Sequence, residues 1–113
     1  MKQTILGTCP SKSNCYVISG YRLTKTDALK RYEDNFFIQC NYYRNANIKG
    51  YFEFHLNVYY PNQRSDLDNS LKVILDCLQR VKAIVNDNKC VKIVAQKFLD
   101  KERPRIEFEI IKV

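Results

Sequence analysis

Residues 51–98 read YFEFHLNVYYPNQRSDLDNSLKVILDCLQRVKAIVNDNKCVKIVAQKF. The first ten alternate strictly. Phe52, Phe54, Leu56, Val58 and Tyr60 fall on one side, and Glu53, His55, Asn57 and Tyr59 on the other. That period of two predicts a strand over Tyr51–Tyr60 with one face in a core and the other partly wet. Pro61 stops it, and Asn62 to Ser65 form a polar loop. The period then changes. Leu67, Leu71, Ile74, Leu75, Leu78 and Val81 recur at steps of three and four, the apolar stripe of a helix lying on a sheet. Asn86-Asp87-Asn88 is a turn, and Lys89–Phe98 returns to strand-like alternation.

On the N-terminal side, Thr4–Thr8 and Cys15–Ser19 read as short strands separated by a turn-rich loop, Cys9–Asn14. Gly20 breaks the second strand, and Tyr21–Lys25 leads to Thr26 as a helix cap. The first long helix is predicted over Asp27–Tyr43, with Leu29, Tyr32, Phe36, Cys40 and Tyr43 as its buried face. On the C-terminal side, Asp100–Pro104 is a hairpin-type loop and Arg105–Val113 the last strand. The predicted order is β-β-α-β-α-β-β. It describes an α+β fold, a small mixed sheet with two helices packed on one face, in a single domain over residues 1–113.

With 113 residues and 45% hydrophobic content, the chain builds one core without staples. A net charge of +7 favours a polyanionic partner, nucleic acid first and an anionic membrane surface second. The five cysteines are odd in number and contain no C-x-x-C, and the only histidine is His55. Reduced thiols in a cytoplasmic setting are expected, and a zinc site is not. No apolar run approaches the ~20 residues that span a bilayer, and no signal peptide is expected after Lys2.

Against this basic background, the helix 67–81 carries acidic and amide side chains at both ends. Asp66 and Asp68 lie two residues apart where loop becomes helix, so their carboxylates can converge on one ion. A hard divalent cation such as magnesium prefers such oxygens, and it supplies what phosphodiester cleavage needs: charge on a phosphoryl oxygen and an activated water. Asp87 joins the pair only if the fold folds the two loops together. Lys72 follows Asp68 by four residues, and Asp76 follows Lys72 by four, on one helix face. A lysine there can neutralise transition-state charge on a phosphate. Asn69 is placed to orient a water or a ligand, and Arg64 to fork onto a phosphate oxygen. The same residues also have an ordinary reading. Ser65 and Asp68 make an S-x-x-D capping box, Lys72 and Asp76 a surface ion pair, and N-D-N a turn.

The arrangement RSDLDNSLKVILDCL followed by N-D-N, together with Pro10-Ser11-x-x-Asn14 near the start, resembles the RusA-type Holliday junction resolvases, the crossover junction endodeoxyribonucleases. The likeness covers most of the chain. It implies a homodimer that makes paired, symmetric nicks across a four-way DNA junction with Mg2+, for which Mn2+ substitutes, in a bacterial or phage setting. It carries the catalytic and metal-binding aspartates onto Asp66, Asp68 and Asp87, and the essential lysine onto Lys72, with Asn69 and Asp76 in supporting positions. The family prototype has a run of arginines before the first aspartate, where this chain has only Arg64, and Cys9 replaces the first proline of P-P-S.

Arg64, Lys12 and Lys89 are the candidate DNA-backbone contacts among basic residues otherwise spread along the chain. Tyr42, Tyr43, Tyr51, Tyr59 and Tyr60 either stack on unpaired bases or pack in the core. His55 is read as a hydrogen-bonded sheet residue, and Glu107 and Glu109 as edge-strand charges. Two other functions fit the same residues: a basic DNA-binding module whose aspartates only cap a helix, and a metal nuclease acting on other branched DNA.

Overall fold

The computed structural model describes residues 1–11 and 14–113. The central strand of the larger sheet is β4 (Phe52–Tyr60). It pairs in parallel with β5 (Cys90–Leu99) on one side and antiparallel with β6 (Arg105–Lys112) on the other. The short β1 (Gln3–Leu6) closes the far edge against β6, giving the order β1-β6-β4-β5. Every second residue of β4 is buried, as the alternation requires. Phe54, Leu56 and Val58 meet the helices together with Ile106, Phe108 and Ile110 of β6.

Two helices cover that face: α1 (Asp27–Gln39) and α2 (Leu67–Arg80). Phe36 of α1 stacks on Phe108 with ring centroids 5.9 Å apart, and Phe54 packs on the same ring at 5.8 Å. Thr26 caps α1 by accepting the Leu29 N–H. The α+β class, the mixed sheet, the two helices on one face and the order of elements are those expected.

Four details differ. The first helix ends at Gln39, not Tyr43, because Gln3 takes over its C-terminus. The Gln3 amide donates to the Gln39 carbonyl at 3.1 Å and accepts the Tyr42 N–H at 2.9 Å, so the released backbone groups are satisfied without another turn. Tyr43 stays in the core from a turn, stacked on Phe108. Residues 22–25, expected as an approach to the helix, form β3 (Arg22–Lys25), which pairs with β2 (Tyr16–Ser19) as a separate two-stranded ribbon. The loop at residues 100–104 is not a hairpin turn. β4 lies between β5 and β6, so the loop crosses the end of β4, where the Asp100 N–H donates to the Tyr60 carbonyl. By the same pairing β6 is an inner strand, and Glu107 and Glu109 are not edge charges. Glu107 accepts from the Tyr59 hydroxyl and Arg105, and Glu109 holds the N-terminal ammonium. His55 lies 3.1 Å from Glu53 on the open face of the sheet.

All five cysteines are free, and four are buried. Burial pushes the Cys9 and Cys40 thiols up to about 11 and Cys77 higher still. Among the described residues no helix is long and apolar enough to cross a membrane.

Candidate active site

β4 delivers the chain to the N-terminus of α2 through the loop 61–66. Asp66 occupies the N-cap position, but its side chain makes no capping bond; only its backbone carbonyl accepts, from the Asn69 N–H at 3.2 Å. The Ser65–Asp68 capping box of the ordinary reading does not form, because the cap falls one residue later. Asp66 and Asp68 are both exposed, and among the described residues neither carboxylate has a hydrogen bond or ion pair. Beneath them Tyr60, at the end of β4, bonds the Ser70 hydroxyl and donates to the Asp66 carbonyl at 3.3 Å. Burial is the first cause that raises the Tyr60 phenol above its usual range, and the Asp66 and Asp68 charges add to it. Both aspartates therefore act on the same buried hydroxyl.

The next acidic group is one to two turns along α2. Lys72 Nζ lies 2.9 Å from Asp87 Oδ2 and 3.2 Å from Asp76 Oδ1. The hydrogen bond that Lys72 donates to Asp87, and then that to Asp76, hold its ammonium above its usual range. Asp87 sits in a short 3-10 turn, Asp87–Lys89, capped by Asn86, whose side chain accepts the Asn88 N–H. The segment after α2 folds back along the helix, and Gln79 secures it by accepting the Asp87 N–H at 2.6 Å. Sequence reasoning passed over Gln79. Its step of seven from Lys72 puts it on the same helix face, which was the available signal.

The fold thus gathers Lys72, Asp76 and Asp87, and leaves Asp66 and Asp68 together at the helix start. Among the described residues no three aspartate, glutamate, histidine or cysteine side chains form a ready-made ion site. Asp76 and Asp87 share one lysine. At 1.5 Å rise per residue, Asp68 lies about 12 Å along the axis from Asp76. Arg64 is exposed, with its N–H on Asn62. Lys89 lies over the Tyr51 ring, 5.0 Å from its centre. Asn69 is half-buried in the first turn. Lys12 lies outside the described residues. Of the candidate stacking tyrosines, Tyr43 and Tyr60 are core, Tyr42 and Tyr51 are exposed, and Tyr59 is sandwiched between Phe98 and Arg105.

This sheet, this helix start and this lysine coincide with a family match that spans residues 9–111, to Endodeoxyribonuclease RusA. The chain belongs to the RusA endodeoxyribonuclease family. It is accordingly a nuclease that hydrolyses DNA internally. No match was found among curated individual proteins. For a RusA-family nuclease the donor set suits a hard divalent cation. Asp66 and Asp68 offer carboxylate oxygens that no other group among the described residues uses, and Asp87 keeps one oxygen free of Lys72.

Proposed function

We propose that this protein resolves four-way DNA junctions by paired symmetric nicks, as a magnesium-dependent homodimer in which manganese substitutes. The observation that carries the reading is the idle pair Asp66 and Asp68. Among the described residues neither carboxylate caps the helix or pairs with a cation, so beyond the modest favour of the helix dipole their oxygens stay open to an ion.

In this reading Asp66, Asp68 and Asp87 hold the ion. When bound, it supplies Lewis acidity at a phosphoryl oxygen and an activated water. Lys72 leaves Asp87 for the scissile phosphate and offsets the negative charge that grows there in the transition state. Asp76, the second partner of Lys72, keeps the amine aimed along the helix when Asp87 turns to the ion. Asn69, half-buried beside the aspartates, orients water or a ligand oxygen. Arg64, Lys12 and Lys89 take the DNA backbone, and their exchange with counterions makes binding salt-sensitive.

The homodimer is proposed to form along β5. This edge strand has ten residues and exposes Val91, Ile93, Val94, Phe98 and Leu99. Such an edge invites pairing with its own copy across a two-fold axis, which would place one site on each side of a junction.

The test is a labelled four-way junction with magnesium, wild type against Asp66→Asn. Symmetric nicks from the wild type and a loss of at least about a hundredfold in the variant, with junction binding retained, are expected. Equal cleavage by both proteins would refute the assignment. Faster cleavage of flap or plain duplex than of the junction would move the substrate to other branched or linear DNA. Binding without cleavage under any divalent ion would leave a DNA-binding module.

A further inference from the structure

The ribbon β2–β3 is the part of the fold that its core does not explain. It pairs Tyr16 with Lys25, Val17 with Thr24, Ile18 with Leu23 and Ser19 with Arg22. Gly20 makes the two-residue turn possible with a φ of 65°. Directly opposed residues share a face, so Tyr16, Ile18 and Leu23 form an apolar stripe. That stripe is uncovered: Ile18 is 80% and Leu23 69% exposed, and Tyr21 at the tip is fully exposed. An isolated two-stranded ribbon is marginal in water and gains nothing from displaying such residues. Between Tyr16 and Lys25 the ribbon carries Arg22 and Lys25 and no acidic residue.

Its root fixes where it stands. The Thr26 N–H donates to the Cys15 carbonyl at 2.9 Å, and Lys25 pairs with Glu33 of α1 at 2.9 Å. The Cys15 and Cys9 thiols are both buried in the core, Cys15 near enough to act on Cys9, and Cys9 lies against Ser70 in the first turn of α2. Ser70 bonds Tyr60, which bonds the Asp66 carbonyl. The ribbon therefore rises from the end of the molecule that bears Asp66 and Asp68.

We infer that the β2–β3 ribbon is a wedge that enters the DNA branch point, with Tyr21 stacked on an unpaired base, Ile18 and Leu23 against its neighbours, and Arg22 on a phosphate. This rests on the junction-cleaving reading above. A polyanion with bases to unstack matches a ribbon that is cationic, free of carboxylates and apolar at its tip. Base–aromatic stacking takes any base, so the wedge selects for branching and not for sequence. Departure from paired duplex is cheapest at a branch, and that is where an exposed ring gains most.

The experiment uses a four-way junction with 2-aminopurine at the crossover, in calcium so that no strand is cut. Wild type should raise the fluorescence as the base unstacks. Tyr21→Ala should abolish the rise and weaken junction binding roughly tenfold, about the size of one stacking contact, with duplex binding unchanged. Tyr21→Phe should behave as wild type. Because Tyr21 touches no core residue, all three proteins should melt together. A wild type that prefers the junction, with a fluorescence rise that Tyr21→Ala leaves intact, overturns the wedge while the junction reading stands. A wild type with no preference for the junction over duplex and no rise overturns both. Conversion of a dimer to a monomer by Ile18→Ser with Leu23→Ser, seen in sedimentation, would overturn the wedge and make the ribbon a subunit contact.

Discussion

Replacing Lys72 by alanine separates the role of this lysine in the fold from its role in cleavage. Its side chain is 66% exposed and makes two contacts, at 2.9 Å to Asp87 and 3.2 Å to Asp76. Exposed ion pairs contribute about 0.2–1 kcal/mol each, and alanine is as good a helix former, so Lys72→Ala should destabilise the fold by about 1 kcal/mol. For a domain of this length that lowers Tm by roughly 3–5 °C. A fold stable by ~5 kcal/mol or more stays almost wholly native after such a loss. Removing a cation from the developing phosphoryl charge costs far more, about 2.7–4 kcal/mol, or a hundred- to a thousandfold in rate. Single-turnover cleavage of a labelled junction at saturating protein, beside calorimetry, reads both. There is a second signature. Lys72 competes with cations for Asp87, so the variant should bind manganese more tightly, in calorimetric titration, while cutting more slowly. The Lys72 ammonium is held above its ordinary value of 10.5 by its two carboxylates. Its ion pairs are therefore fully present below that value and lost only as pH rises through the higher folded value. The contrast with wild type should persist across the whole neutral and mildly alkaline range. A cleavage rate within about threefold of wild type at every pH, with the small Tm shift observed, would refute the catalytic role and leave a surface ion pair.

Phe108→Ala removes the ring on which Phe36, Tyr43 and Phe54 all pack, and should cost about 3–5 kcal/mol in urea unfolding; a loss below about 1.5 kcal/mol would mean that the site collapses freely. In the native protein a disulfide reagent at neutral pH should label Cys90, the one cysteine that is not buried, well before Cys9, Cys15, Cys40 and Cys77, and equal rates at all five would contradict the burial. The Arg103 N–H, and then Arg105, hold the Asp100 carboxyl below its ordinary 3.8, so its contribution is present above that value and lost as pH falls through the lower folded one. Asp100→Asn should thus be less stable than wild type at pH 7 and match it under strong acid; parallel stability curves down to acid pH would exclude this.

The sheet and its helices were legible because β4 and β6 bury alternate residues and α2 carries a clean apolar stripe, patterns that local geometry imposes on any chain. The ladder order was not. Nothing in Arg105–Val113 says that it slots between β1 and β4, since pairing is chosen by the whole sheet and not by the strand. The end of α1 was illegible for a related reason: Leu29 to Tyr43 keeps helical spacing, yet Gln3, far away in sequence, ends the helix at Gln39. The β3 strand went unread because Tyr21–Lys25 has no buried face from which a period emerges. At the site, spacing correctly put Lys72 beside Asp76. It said nothing of Asp87 meeting that lysine, a contact made by the fold-back that Gln79 secures.

The charge distribution gives the Lys72–Asp87 contact a part in the proposed mechanism. Asp66, Asp68, Asp76 and Asp87 with Lys72 carry −3, so the rest of a chain with net charge +7 carries +10. A nuclease needs both. The cationic remainder draws in DNA, and the acidic cluster repels the one phosphate that must come closest. In the proposed reading a divalent ion held by the aspartates would bring the cluster near −1, and a phosphate could then approach it. On the same reading Lys72, 2.9 Å from Asp87, competes with the ion for that carboxylate. The two states differ by a side-chain exchange on the exposed face of α2. Lys72 is mostly solvent-exposed, so the exchange breaks contacts worth about 1 kcal/mol and disturbs no packing. The barrier to loading the site is therefore low, and affinity for the ion should rise whenever Lys72 is drawn toward DNA. On that reading ion and substrate should bind cooperatively, each releasing the partner that the other needs.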